Sequence, residues 1–430
     1  MISKRFLLFS ITCYSSFIAF AQPKSIDKII TLQNTEHIIS TLADDSMQGR
    51  LTFTPGIEKA ANFIAREFKT IGLQPVKNGS YLQGFTMVST KPVSLSAIVD
   101  GASVDDKNIF VFASSPEISI DQTSGFEIDR INTSEEFFAK AFTNINAKNN
   151  RLVLVNDSLK KRFQRLAFFR ENAFKSDKIT IFLLTNNVPK TYNIKATQNI
   201  SEKYLANVVG ILPGKSKKNE YVIFSGHYDH LGIKHNATGD SIYNGANDDA
   251  AGTTAVIQLA RYYKAMRNNE RTIVFAAFTA EEMGGFGSQY FSHQFDPAKV
   301  VAMFNIEMIG TESKWGTNSA YITGYEKTNM GEILQKNLKG SGFTFYPDPY
   351  TDQQLFYRSD NATLARLGVP AHTISTSKMD SEPNYHKVSD EVKTLDLENM
   401  NRIIKSIAVS AATIVAGKDT PSRVNTKDLK

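Results

Sequence analysis

Between Tyr221 and Gly310, four apolar runs each end in side chains able to bind a metal ion or carry a proton. The first, Tyr221 to Phe224, leads into Ser225-Gly226-His227-Tyr228-Asp229, and next Gly245-Ala246-Asn247-Asp248-Asp249-Ala250-Ala251-Gly252 opens a helix-like stretch. Ile273 to Phe278 runs into Thr279-Ala280-Glu281-Glu282-Met283-Gly284-Gly285, and Val300 to Phe304 into Asn305-Ile306-Glu307-Met308. A loop far downstream adds Tyr385-His386. Two divalent ions held roughly 3.5–4 Å apart need a bridging carboxylate and terminal imidazole or carboxylate ligands to each. His227, Asp248, Glu282, Glu307 and His386 supply that inventory. Taken singly, His227 also fits a hydrogen-bonded core histidine, Asp248 a helix N-cap and Glu307 a surface residue. Their joint placement at the ends of successive runs is what points to metal chemistry.

Two further features fit the same chemistry. His227 and Asp229 are two apart, so in extended backbone they share a face, and Asp229 can hold the imidazole in one tautomer. Glu281 and Glu282 are adjacent and cannot point the same way. One can ligate metal while the other accepts a proton from an attacking water and passes it to a leaving amine. No thiolate is at hand, so the ligands are nitrogen and oxygen only, which suits zinc and leaves manganese or cobalt open.

The elements that must position these residues are strands and helices in alternation. Short β-rich runs separated by helical periodicity predict an α/β fold: a mostly parallel, mixed central sheet flanked by helices, with the chemistry at the strands' carboxyl ends. A helix is predicted around Ile57, Ala60, Ala61, Ile64, Phe68 and Ile71, with Pro55-Gly56 before it and Gly72 as C-terminal cap. Others are expected over Ile30–Leu42, Met330–Leu338 and the last apolar stripe, Met400 to Ile414. Between residues 91 and 200 the character shifts to a β-containing insertion with Lys- and Asn-rich connections. Within it, Leu159 to Ala173 reads as one basic helix packing Phe163, Leu166, Ala167 and Phe169 inward.

The whole chain sets bounds. Its 430 residues are 41% apolar and 21% charged, the composition of a globular protein with a substantial core. Lys4-Arg5, the apolar Phe6–Phe20 and Ala19-Phe20-Ala21 read as a secretory signal over residues 1–21, too short in its apolar run for the ~20 residues of a membrane span. Cleavage would remove the only cysteine, Cys13, and leave 47 basic against 43 acidic residues. The expected mature protein is therefore exported, to periplasm or medium, without disulfides and without membrane attachment. Its mild positive charge, with no basic stripe, gives no reason to expect nucleic acid. The expected organisation is a catalytic unit from residues 22–90 and 201–417, the insertion at 91–200, and a frayed polar tail at 418–430. Oligomeric state is left open.

The motifs SGHYDHLG, GANDDAAG, TAEEMGGFGS, NIEMIG and NYHKVSD, in this order, resemble the secreted two-zinc aminopeptidase family, whose relatives include glutamate carboxypeptidase and glutaminyl cyclase. The resemblance spans roughly Ile39–Phe85 and Ala206–Ala416, and many relatives carry a protease-associated domain or lid where the insertion lies. It implies two zinc ions per chain: His227 and Glu307 on one, Glu282 and His386 on the other, Asp248 bridging. It further implies Glu281 as general base, Asp229 as the orienting acid and Tyr385 beside a tetrahedral oxyanion. Asp360, and more weakly Arg358, are implied near the substrate. The family usually has Asp where this chain has Glu307. The implied activity is hydrolysis of the N-terminal bond of peptides with a free amino terminus. A carboxypeptidase or glutaminyl cyclase on the same fold, and a non-catalytic peptide-binding receptor domain, are the alternatives.

Overall fold

The computed structural model describes residues 25–77, 79–235 and 238–429. The signal segment at 1–21, and Cys13 with it, lies outside the described residues. After a single helical turn at Ile26–Ile29, two longer helices, α1 (Leu32–Leu42) and α2 (Pro55–Ile71), precede the first long strand. Pro55 stands in the first turn of α2, where its missing N–H costs nothing, and Gly72 closes the helix in the left-handed region at φ 79°. The stretch Ile30–Leu42 is shorter as a helix than its periodicity predicts. Thr31 turns extended and accepts the Asn34 amide, so α1 starts only at Leu32.

The main sheet has twelve strands, eight of which frame the site. In chain order these are β1 (Leu82–Val99), β2 (Tyr192–Leu212), β3 (Lys217–His227), β4 (Arg271–Phe278), β5 (Val300–Ile306), β6 (Ser319–Ile322), β7 (Thr344–Pro347) and β8 (Ala371–Ser375). Their order is β7-β6-β8-β5-β3-β4-β2-β1. β3 pairs in parallel with β4 and β5, and β5 with β8, so four neighbouring strands point the same way. β2 is antiparallel to β4, and β6 to β8, which makes the sheet mixed.

Residues on these central strands alternate between two buried layers. Val222 and Phe224 face a core shared with α1, α2, the helix α3 (Ala251–Met266) and the last long helix, α4 (Leu397–Ser410). Ile223, Val274 and Met303 face the opposite core with Phe291, Leu364 and Val369. All eight residues of β4 are buried, as a strand covered on both faces requires.

β1 and β2 run antiparallel from Leu82↔Val208 to Val99↔Tyr192 with one irregularity at Thr197/Gln198. Each strand passes unbroken through the expected boundaries at 90/91 and 200/201, so the insertion is carried on a continuous two-stranded ribbon. Beyond it, residues 127–131, 151–155 and 180–184 form a parallel set to which 109–112 adds antiparallel. Two apolar layers cover that four-stranded sheet.

Two expectations change. Leu159–Ala173 is not one helix: a single α-turn at Lys160–Phe163 is followed by 3₁₀ turns over Gln164–Arg170. Phe163, Leu166 and Phe169 recur every three residues, the 3₁₀ period, and Ala167, which fits only the 3.6-residue period, is exposed. Nor is the tail frayed. Arg423 donates to the carbonyls of Val300 (2.7 Å) and Pro297 (3.0 Å), and the buried Arg271 donates to Asp419 O (2.6 Å) and Thr420 Oγ1 (2.6 Å). Its polar groups complete others' hydrogen bonds, so polarity did not mean disorder.

Candidate metal centre and active site

The site forms at the carboxyl ends of β3, β4 and β5. Close approach of backbone makes it possible. A side chain at Gly252 would come within 2.0 Å of the Ile306 carbonyl and 2.4 Å of Asp249 Oδ2, and one at Gly226 within 2.9 Å of the same Asp249 oxygen. Into this space Asp249 places a carboxylate that accepts the amides of His227 (3.1 Å), Gly252 (3.0 Å) and Met308 (3.1 Å). One buried residue thereby ties together three of the segments that carry metal-binding candidates, those of His227, Asp248 and Glu307. Asp390 does the same from the far loop, accepting the amides of Asn247 (2.9 Å) and Asp248 (3.0 Å).

Asp248 stands at the centre. Its Oδ1 lies 3.1 Å from His227 Nε2 and its Oδ2 3.2 Å from His386 Nε2. Each carboxylate oxygen therefore faces a different imidazole. On the first side His227, Asp248 and Glu307 bring ligand atoms within 4.8 Å of one another. On the second, Glu282 Oε2 is 3.2 Å from His386 Nε2 and Glu282 Oε1 is 2.8 Å from His230 Nδ1. His230, Asp248 and Glu282 also form a compact trio of ligand atoms. His230 has no role in the sequence reading, although it stands in the SGHYDHLG motif three residues after His227. Its only sequence signal is its residue type.

The donor set fits a metal. His227 Nε2, His230 Nε2 and Glu307 Oε2 are buried and lack an aligned hydrogen-bond partner. His227 Nε2 lies 3.1 Å from Asp248 Oδ1, a charge contact. Leaving such atoms unpaired costs about 1–3 kcal/mol each unless a cation occupies the space between them. The protonation balance agrees. Burial opposes charging His227, yet Asp229 and Asp248 hold it well above the usual histidine range. Hydrogen bonds donated to Asp248 and Glu282 carry His386 up to about 10, and Asp248, despite burial, is kept below the usual carboxylate range by the two histidines. The pocket attracts positive charge.

Asp229 does more than face His227. Its Oδ1 is 3.7 Å from His227 Nδ1, while its two oxygens accept the amides of Glu281 (3.1 Å) and Glu282 (3.3 Å). Glu282 leaves toward the histidines. Glu281 leaves toward a large cleft, and burial, with Glu307, Asp360 and Glu282 nearby, pushes its carboxyl well up. Burial and Asp248 carry Glu307 up to about 7. Tyr385 stacks on His386 with ring centres 4.0 Å apart, and with Glu307, Arg358 and Met308 it lines a small cavity beside the centre. Arg358 is exposed and lines both that cavity and the cleft. Asp360 is buried, reached through Ser288 and Gly285, and lies on the wall of neither.

Residues 207–411 match the model of peptidase family M28. The matched stretch, just under half of the chain, is similar to that family. That segment contains every metal-binding candidate and Glu281, while the resemblance read at Ile39–Phe85 lies outside it. A probable leucine aminopeptidase of Trichophyton verrucosum is 29% identical over 203 residues, 45% of this chain and 53% of its own length. Aminopeptidase YwaD of Bacillus subtilis is 29% identical over 266 residues, 57% of this chain and 52% of its own. The chain thus spans about half the length of the curated relatives it matches. An aminopeptidase from Aneurinibacillus sp. strain AM-1 superposes with a TM-score of 0.54 at 18% identity, covering 94% of this chain and 98% of that one, a likeness of fold. Around the M28 segment the structure adds Arg50, which sequence reading left without a role. It is fully buried and donates to the carbonyls of Tyr228 (2.8 Å), Leu42 (2.7 Å) and Gly245 (2.9 Å), clamping the loops that follow β3.

Proposed function

We propose that this chain is an exported metallo-aminopeptidase that uses two zinc ions, held by His227 and Glu307 on one side and by Glu282 and His386 on the other, with Asp248 between. The observation that carries this reading is the division of Asp248: one oxygen toward His227, the other toward His386. Bound there, zinc would supply Lewis acidity to a peptide carbonyl and acidify a water. Glu281 takes the proton of the attacking water and delivers it to the departing amine nitrogen. Burial and neighbouring acids raise its proton affinity, which suits a group that must hold a proton between the two transfers. Tyr385 donates to the oxyanion that develops at the carbonyl, and Asp229 fixes the loop on which Glu281 and Glu282 diverge. The small cavity beside Glu307 and Tyr385 receives the N-terminal residue. Export is supported by the signal-like residues 1–21 alone.

A panel of aminoacyl 4-nitroanilides, each with a free and an acetylated amino group, tests the reading with zinc-loaded protein. Cleavage confined to free amines is expected. Cleavage of acetylated peptides at their carboxyl terminus, cyclisation of N-terminal glutamine, or peptide binding without turnover would each replace it with one of the alternatives.

A further inference from the structure

The cleft into which Glu281 opens has a volume of about 1260 Å³ and is walled by both parts of the molecule. Pockets that enclose a small molecule run to roughly 300–1,000 Å³, so several peptide residues fit here. Its charged lining comes from two sides: Asp129, Lys148 and Arg151 from the insertion, and Glu281, Arg358 and Arg366 from the sheet's loops. Four cations face two carboxylates. Asp129 is already engaged, accepting from Asn144 Nδ2 at 2.8 Å, and Arg151 is paired with Glu127 at 2.7 Å. Lys148, Arg358 and Arg366 are exposed and have no ion pair among the described residues. Arg366 rests over the Tyr357 ring at 5.9 Å, and Arg358 makes one long bond of 3.4 Å to Gln353. Arg358 also borders the small cavity beside Tyr385, so the two spaces meet at its side chain.

We propose that the cleft holds the departing part of the substrate through a carboxylate, making short peptides with negative charge beyond the scissile bond its preferred substrates. This rests on the aminopeptidase reading. With the N-terminal residue beside Glu307 and the scissile bond at Glu281, the rest of the peptide must enter the cleft, where its negative charge meets Lys148 from one wall and Arg358 and Arg366 from the other. A recess lined mainly by one sign of charge concentrates ligands of the opposite sign, and guanidinium groups pair carboxylates through two hydrogen bonds. The carboxylate has two possible sources, the peptide's own terminus or an acidic side chain.

The test compares tripeptides and tetrapeptides, with free and with acetylated amino termini, as free acids and as C-terminal amides, each with Glu or Gln at the second residue. Turnover by the zinc-loaded protein is read as kcat/KM, and binding to the Glu281→Gln variant is read by calorimetry. The expected result is a preference of roughly tenfold for the charged member of a pair at low salt, narrowing at high salt. A preference between acid and amide assigns the terminus; one between Glu and Gln assigns the side chain. The double charge reversal Lys148→Glu with Arg366→Glu should abolish or invert it. Equal binding and equal kcat/KM within every pair would overturn the proposal while leaving cleavage of uncharged aminoacyl anilides, and so the aminopeptidase reading, intact. Conversely, charge-dependent binding with cleavage only of N-acetylated free acids would keep the carboxylate site and overturn the aminopeptidase reading.

Discussion

The Asp229 carboxylate accepts the amides of both Glu281 and Glu282, and that fixes the opposite departure of two adjacent side chains. Glu282 then meets two imidazoles, one at each oxygen. His230 is the one whose replacement is most informative. If it holds Glu282 toward the second metal position, His230→Ala should weaken binding of one zinc by about 10–100-fold and leave the other unchanged, read by chelator competition. His230→Asn, which keeps a polar group near Nδ1, should recover part of the loss. Equal affinities for both zincs in all three proteins would show that His230 only fills space. The sequence makes His227, Asp248, Glu282, Glu307 and His386 legible because each closes a run or a motif of recognisable type. His230, Arg50 and Asp390 are illegible for a physical reason: the partners that tie them to the site, Glu282, Tyr228 and Asp248, lie 52, 178 and 142 residues away and are joined only by folding.

Among the elements, β8 is held by a histidine with no link to the metal centre. His372 Nδ1 donates to Thr323 O at 2.9 Å and Nε2 accepts from Thr328 Oγ1 at 2.8 Å, so the ring is fixed neutral between β8 and the turn after β6. Burial brings its pKa down to about 4. An unfolded histidine titrates near 6.5, so the unfolded chain binds more protons between these values. The stabilisation is complete above about pH 6.5 and is lost as pH falls through 4, an effect of roughly 3 kcal/mol. Urea midpoints at pH 7 and 4.5 should fall further for the natural protein than for His372→Gln, with the acidic site common to both; identical falls would contradict it. Strand alternation and the capped helix α2 are plain in the sequence because their periods are local. The 3₁₀ segment at Gln164–Arg170 is not, since Phe163, Leu166 and Phe169 satisfy three-residue spacing while the neighbouring Ala167 also suits an α-helix.

Across the whole molecule, the polar tail and the ribbon decide how the parts hold together. Arg271 is buried at the start of β4 and shares its donors among Glu220, Ile414 O, Asp419 O and Thr420. Removing residues 419–430 should cost about 2–4 kcal/mol by stranding that guanidinium and losing the Arg423 bonds to Val300 and Pro297. Thermal unfolding of the shortened chain checks this, and an unchanged midpoint would mean that solvent replaces the tail without loss. Length and composition led to the expectation of two parts but gave no joint between them. β1 and β2 keep strand alternation across both expected boundaries, so no break in pattern marks where the sheet's ribbon becomes the insertion's support. The joint brings the insertion to the cleft where Glu281 opens. The most direct measurement for the whole account is a zinc titration of metal-stripped protein and of Glu281→Gln, following bound metal and hydrolysis of a free-amine aminoacyl anilide together. The expected result is activity that rises with zinc to two per chain, and a variant that binds both ions yet loses about a hundredfold or more in kcat. Full activity without metal, or full activity in Glu281→Gln, would contradict it.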